Sequence, residues 1–219
     1  MNTAKIFLPG DNDFLVKESV KTLRTNLQFC GAGIKVIEVT AHGENEGKSM
    51  ISLQIARSFA ELGKRVLFVD ADMRKSVVAM RNTDAKPTCG LSEILSGMTL
   101  LEAALWQTEC PGLHILFSGT FPPNPVELLN SVQFKELIAD AREHYDYVII
   151  DTPPLSAVVD AAVIAAECDG SILVLGQEHL RYRDVEDSIA QLRKSGCRIL
   201  GAVRNKQRKR GRMYYSSKR

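Results

Sequence analysis

The sequence predicts an α/β fold, a mostly parallel β-sheet with helices on both faces. Three observations predict it. Short apolar runs rich in β-branched residues alternate with helical patterns along the chain, as parallel sheets require. The runs end in Asp or in Gly-rich turns, where open α/β sheets place their ligands. The chain has 219 residues, 45% hydrophobic and 25% charged, which is globular composition with enough length for one large core.

Residues 34–40, 48–62 and 65–72 read as strand, helix, strand. Ile51, Ile55, Phe59 and Leu62 share one face of that helix, and Gly63 stops it. Further buried strands are expected at 113–117, 147–151, 171–175 and 198–203. A helix over 184–194 carries Val185, Ile189 and Leu192 on one side and closes at Gly196. A small helix is expected over 100–106, packed by Trp106. Before the first strand, 14–29 reads as an amphipathic helix with Val16, Val20, Leu23 and Leu27 on one stripe, free to pack on its own sheet or on a neighbour.

The five cysteines, Cys30, Cys89, Cys110, Cys168 and Cys197, are odd in number and form no C-x-x-C pair. Neither a disulfide framework nor a zinc site is suggested, and a reducing cytoplasm fits best. No signal pattern opens the chain, and no run approaches the roughly 18 apolar residues of a spanning helix, so work at a membrane needs a partner to hold it there. His114, His144 and His179 show no metal-ligand spacing. The net charge of +2 hides an asymmetry: residues 204–219 hold eight Lys or Arg and no acid, leaving 20 bases against 26 acids in 1–203. A body, 1–203, and a basic flexible tail, 204–219, are expected. No nucleic-acid partner is expected.

The chemistry centres on His42-Gly43-Glu44-Asn45-Glu46-Gly47-Lys48-Ser49, between the first strand and the first helix. Backbone N–H groups at a helix start meet phosphate oxygens, Lys48 supplies a compact positive charge for the β and γ phosphates, and the Ser49 hydroxyl can ligate Mg²⁺. The general pattern wants Gly where His42 stands. Asn45 occupies a position often held by glycine, and Asn tolerates left-handed backbone better than most residues. The run 66–74 ends in Asp70, Asp72 and Arg74; with the strand continued, both acids would share one face, while the plainer alternative is a solvated Asp turn. The run 147–154 ends in Asp151, an acid suited to holding Mg²⁺ through water.

Together, the phosphate loop, Val-Asp-Ala-Asp-Met-Arg (69–74) and Val-Ile-Ile-Asp-Thr-Pro-Pro (148–154) resemble the Walker A, A′ and B motifs of bacterial tyrosine kinases of the capsular and exopolysaccharide type. The likeness continues through Gly90-Leu91-Ser92-Glu93, the run 118–129 with its Pro-Pro-Asn-Pro core, and 160–205. This resemblance implies a P-loop NTPase fold, ATP and Mg²⁺ as cofactors, and autophosphorylation of tail tyrosines, here Tyr214 and Tyr215, delivered from one subunit to the next. It implies nucleotide contacts from Gly43, Glu44, Asn45, Glu46, Gly47, Lys48, Ser49, Met50 and Asn205. Metal would be organised by Ser49, Asp72 and Asp151, with Lys48, Asp70, Asp72 and Asp151 as the catalytic set and Asp70 as the acceptor of the tyrosine proton. A phenol of pKa near 10 needs such help at neutral pH.

The family's partners are implied as well: a homo-oligomeric ring, possibly an octamer, a transmembrane polysaccharide co-polymerase that activates, and a tyrosine phosphatase. The place of work is the cytoplasm, at the inner face of the membrane. The subunit contact motif Glu-x-x-Arg-x-x-Arg reads here as Glu18, Lys21 and Arg24, and Lys21 lacks the planar fork of arginine. Two alternatives are a partition or positioning ATPase switch, whose extra loop lysine is here Gly43, and a nucleotide-binding assembly module with weak chemistry.

Overall fold

Runs that are apolar at every position can be satisfied only by burial on both faces, and the sheet does this. The protein is described here from a computed structural model covering residues 2–10, 13–176 and 181–206. Its strands are β1 (Asn2–Ala4), β2 (Val36–Ala41), β3 (Val66–Asp70), β4 (Leu105–Thr108), β5 (Leu113–Leu116), β6 (Tyr147–Asp151), β7 (Gly170–Leu175) and β8 (Ile199–Arg204). They form one sheet in the order β1-β4-β5-β3-β6-β2-β7-β8. Every pairing is parallel except β4 with β5. Alternate residues serve opposite cores: Val66 and Phe68 of β3 face one cluster, Leu67 and Val69 the other.

The helices are α1 (Phe14–Phe29), α2 (Lys48–Ala60), α3 (Val78–Asn82), α4 (Leu91–Leu95), α5 (Leu101–Ala104), α6 (Pro125–Leu129), α7 (Val132–His144), α8 (Asp160–Ala165) and α9 (Tyr182–Lys194). No helix among the described residues is long and apolar enough to cross a membrane. Helix α2 is buried almost all round because the sheet covers one side and α1 the other. It ends at Ala60, two residues before the expected Leu62, which is left 47% exposed, and Gly63 follows at φ 75°. On α1, Asp13 caps the first turn by accepting from Leu15 N at 2.9 Å, and Leu27 is the one fully buried side chain.

The helix expected over 100–106 is corrected to the single turn α5, and Trp106 lies in strand β4. There it pairs in register with Asn2 of β1 and Ile115 of β5, and its ring meets Phe117 edge-on at 5.7 Å. Long-range pairing overrides the local pattern. Strand β3 stops at Asp70, so Asp72 does not continue it and instead sits in the following turn. Tyr214, Tyr215 and His179 lie outside the described residues.

Candidate active site

The parallel strands β2, β3 and β6 end side by side, and their carboxyl ends deliver the site. From β2 the chain turns through residues 42–47 into α2, whose N-cap Gly47 has φ 93° while Asn45 has φ 59°. These left-handed positions bend successive peptide units around a concave space, the form of an anion nest. A side chain at Gly47 would collide with the Asn205 amide, so glycine is needed there for space as well as for angle. His42, the departure from the phosphate-loop pattern, is tethered to α9 by a 2.9 Å contact between Nδ1 and Ser188 Oγ.

Lys48 projects from the first turn of α2 into a ring of acids. Its Nζ lies 3.1 Å from Asp72 Oδ2 and 3.8 Å from Asp151 Oδ2. Burial alone would lower its pKa, but Asp151 and Asp72 outweigh that and hold it above the ordinary value. Ser49 Oγ is 3.5 Å from the same ammonium. Burial raises the Asp151 pKa against the pull of Lys48 and of the Ser49 and Ser52 hydroxyls. Neither hydroxyl closes a bond of regular geometry, so both Asp151 oxygens are buried without a hydrogen-bond partner.

Asp70 is fully buried beside them. Burial first, then Asp151, push its pKa to about 7, against the bond that Ser76 Oγ donates to Oδ2. Asp72 accepts from Lys75 N at 2.9 Å and Arg74 N at 3.3 Å, which closes its turn. Arg74 in turn makes a bidentate pair with the fully buried Asp160 of α8, at 2.8 and 3.0 Å. Arg74 therefore anchors the acidic turn to a different helix. The Asp160 partner was not legible beforehand, since nothing local marks an acid 86 residues away.

A divalent ion fits the donors present. No cluster of three or more His, Cys, Asp or Glu that could hold a metal occurs among the described residues. Mg²⁺ does not require one, because it keeps several waters and takes one or two carboxylates plus phosphate oxygens. An orphaned, buried carboxylate beside a serine hydroxyl is the kind of group that a cation would satisfy.

The remaining expected residues take varied positions. Glu44 pairs with Lys75 at 2.8 Å, and Met50 lies in the first turn of α2. Glu46 accepts from Gly43 N at 3.0 Å and Gly176 N at 3.1 Å, tying the loop to the end of β7. On α1, Glu18 and Lys21 pair with each other at 2.7 Å on the exposed side. Arg24 turns inward instead, donating to Ser58 O at 2.8 Å and Ser58 Oγ at 3.0 Å. The Gly90 run and the 118–129 run meet in a knot around Glu93, which accepts from Gly90 N at 2.7 Å and Thr120 N at 3.1 Å.

A phosphate loop at the head of α2 and two acidic strand ends on a parallel sheet define a P-loop NTPase fold. The family model described as an AAA domain matches residues 34–194. The chain is 41% identical over 190 residues to a Streptococcus pneumoniae protein named tyrosine-protein kinase CpsD, covering 87% of this chain and 84% of that one. It is 36% identical over 193 residues to the Bacillus subtilis tyrosine-protein kinase YwqD, covering 87% and 81%. The solved kinase domain of the Escherichia coli tyrosine kinase ETK superposes with a TM-score of 0.87 at 33% identity, covering 95% of this chain and 83% of that one. The chain belongs to the bacterial protein-tyrosine kinases of capsule and exopolysaccharide synthesis. A septum-site-determining protein MinD from Pyrococcus horikoshii, TM-score 0.63 at 22% identity, shares the fold.

Proposed function

We propose that this chain transfers the γ-phosphoryl group of ATP, with Mg²⁺, to tyrosine, and that Tyr214 and Tyr215 in the tail of a neighbouring copy are the acceptors. The observation that carries the reading is the lysine held between Asp72, in the turn after β3, and the β6 strand-end Asp151, which is buried with no hydrogen-bond partner. Lys48 and the loop amides hold the β and γ phosphates, which frees Lys48 from Asp72 and exposes that carboxylate to the metal site. Ser49, Asp151 and Asp72 would hold Mg²⁺, which supplies charge neutralisation for the departing ADP oxygen.

Asp70 takes the phenolic proton. The tyrosine oxygen–phosphorus bond forms while the bond from phosphorus to the β,γ-bridging oxygen breaks, its electron pair leaving with ADP. A carboxylate with a pKa near 7 is a stronger base than an ordinary aspartate and is still about half ionised at neutral pH. Ser76 occupies one oxygen of Asp70, so the incoming phenol displaces or shares that bond.

The positive tail and the acidic body supply attraction between copies, since eight bases face a body with six more acids than bases. The family relation supports a ring of subunits, an activating polysaccharide co-polymerase at the inner membrane face, and a phosphatase that resets the tail. The outward Glu18–Lys21 pair belongs to the contact surface of such a ring. Mass spectrometry of tail peptides tests the acceptor assignment. Phosphate should map to Tyr214 and Tyr215 and vanish in the Tyr214→Phe, Tyr215→Phe double variant. Undiminished phosphotyrosine in that variant would move the acceptor elsewhere.

A further inference from the structure

A phosphate-cradling loop has a reverse side. In a planar trans peptide the C=O points opposite to the following N–H, so aiming an N–H at an anion turns the adjoining carbonyl away from it. Those outward carbonyls need donors of their own, and whatever supplies them fixes the direction of the amides. Here the carbonyl of Glu46 accepts from Asn205 Nδ2 at 2.8 Å, and the carbonyl of Asn45 accepts from Lys206 Nζ at 2.6 Å. Both donors come from the end of β8, three strands from β6 in the sheet order.

We infer that Asn205 and Lys206 are positioning residues that aim the Glu46 and Gly47 amides into the phosphate cradle by holding the backs of the same two peptide units. This deepens the nucleotide-binding reading and rests on it. Four further observations support it. Asn205 N donates to Leu175 O at 2.9 Å, so the strap is stitched to β7. The other end of the Asn205 amide is also occupied, since Oδ1 accepts from Lys206 N at 2.8 Å. Both ends of the amide are thus tied to backbone groups, which fixes the plane of the side chain against the loop. Lys206 holds φ 56°, a left-handed angle that a lysine seldom adopts without other contacts to hold it. Glu46 also ties Gly43 N to Gly176 N, so the loop is held from the ends of both β7 and β8.

Asn205 thus acts through the backbone, not through the nucleotide base, and Lys206 joins a site from which its exposed position would exclude it. The two roles separate in a binding experiment on the full chain with three probes, Mg-ATP, Mg-GTP and Mg-tripolyphosphate, each displacing a fluorescent ADP analogue. Positioning predicts that Asn205→Ala weakens all three by the same factor, about tenfold, the usual scale for one lost backbone-orienting bond in a charged site. Lys206→Met should weaken all three by about three- to fivefold, and Lys206→Arg should restore binding. A loss confined to ATP, with tripolyphosphate unaffected, would make Asn205 a base reader and overturn the inference, as would unchanged binding in both variants. Thermal melts accompany the assay. Should Asn205→Ala fail to fold, the exposed Lys206 variants carry the test alone. An unmodified protein that binds none of the three probes would instead defeat the nucleotide-binding reading.

Discussion

Two buried carboxylates, on strands β3 and β2 with β6 between them, behave alike electrostatically, yet only one sits at a strand end beside a cation. Asp70 ends β3 with its pKa near 7; Glu38 sits inside β2 with its pKa near 8. Burial is the main cause for both. Asp70 has Lys48, Asp72 and Asp151 about it and a strand end opening on the nucleotide side. Glu38 instead takes hydrogen bonds from Ser171 and Thr152, the latter at 3.3 Å, and bridges β7 and β6 through the middle of the sheet. A raised pKa alone therefore does not mark a catalytic acid; its position at a strand end and the company of a cation do.

Breaking that comparison starts with the cation. Lys48→Met should lower phosphotyrosine formation by on the order of a thousandfold or more while leaving circular dichroism unchanged. Retention of wild-type turnover would detach the acids from phosphate chemistry. Next comes the acid at the strand end: Asp70→Asn should cost on the order of 10²- to 10⁴-fold in kcat, the span of general base catalysis, with a smaller change in KM for ATP.

The pH profile sharpens the same contrast. A base must be deprotonated to act, so kcat/KM should rise with pH and level off above about 7, and Asp70→Asn should lose that limb. Glu38 affects stability instead. Its folded pKa lies above the unfolded value of 4.5, so the folded state holds a proton that the unfolded state releases, and stability falls as pH climbs from about 4.5 to 8. Glu38→Gln carries no such proton and should flatten this slope, gaining on the parent by up to a few kcal/mol by pH 8 in urea titrations. Parallel stability curves for the two proteins would mean that Glu38 ionises freely in the fold.

What was legible in advance follows the same division. Strands β2, β3 and β6 and helix α2 could be read because the apolar residues of their runs point into one of two cores. The places of Asp70 and Asp151 could be read because they terminate apolar runs, and those of Lys48 and Ser49 because they open the first helical pattern after one. Strand β4 could not, since Trp106 owes its extended backbone to partners on β1 and β5 rather than to its neighbours. Nor could the pairing of Arg74 with Asp160, or of Lys206 with the Asn45 carbonyl, 161 residues apart. The family pattern singled out Asn205 as an expected nucleotide contact, while its bond to the back of the loop appears only in three dimensions. The inward turn of Arg24 toward Ser58 likewise depends on how α1 lies across α2.

The central claim is that one site, built from Lys48 and three strand-associated acids, delivers phosphoryl groups to tyrosine. The most direct measurement incubates the purified full chain with γ-labelled ATP and Mg²⁺ and follows where the label goes. The family relation predicts label on tyrosine, and the proposed acceptor on another copy predicts amounts that grow with protein concentration. Label recovered only as free phosphate, or none transferred at all, would contradict the account.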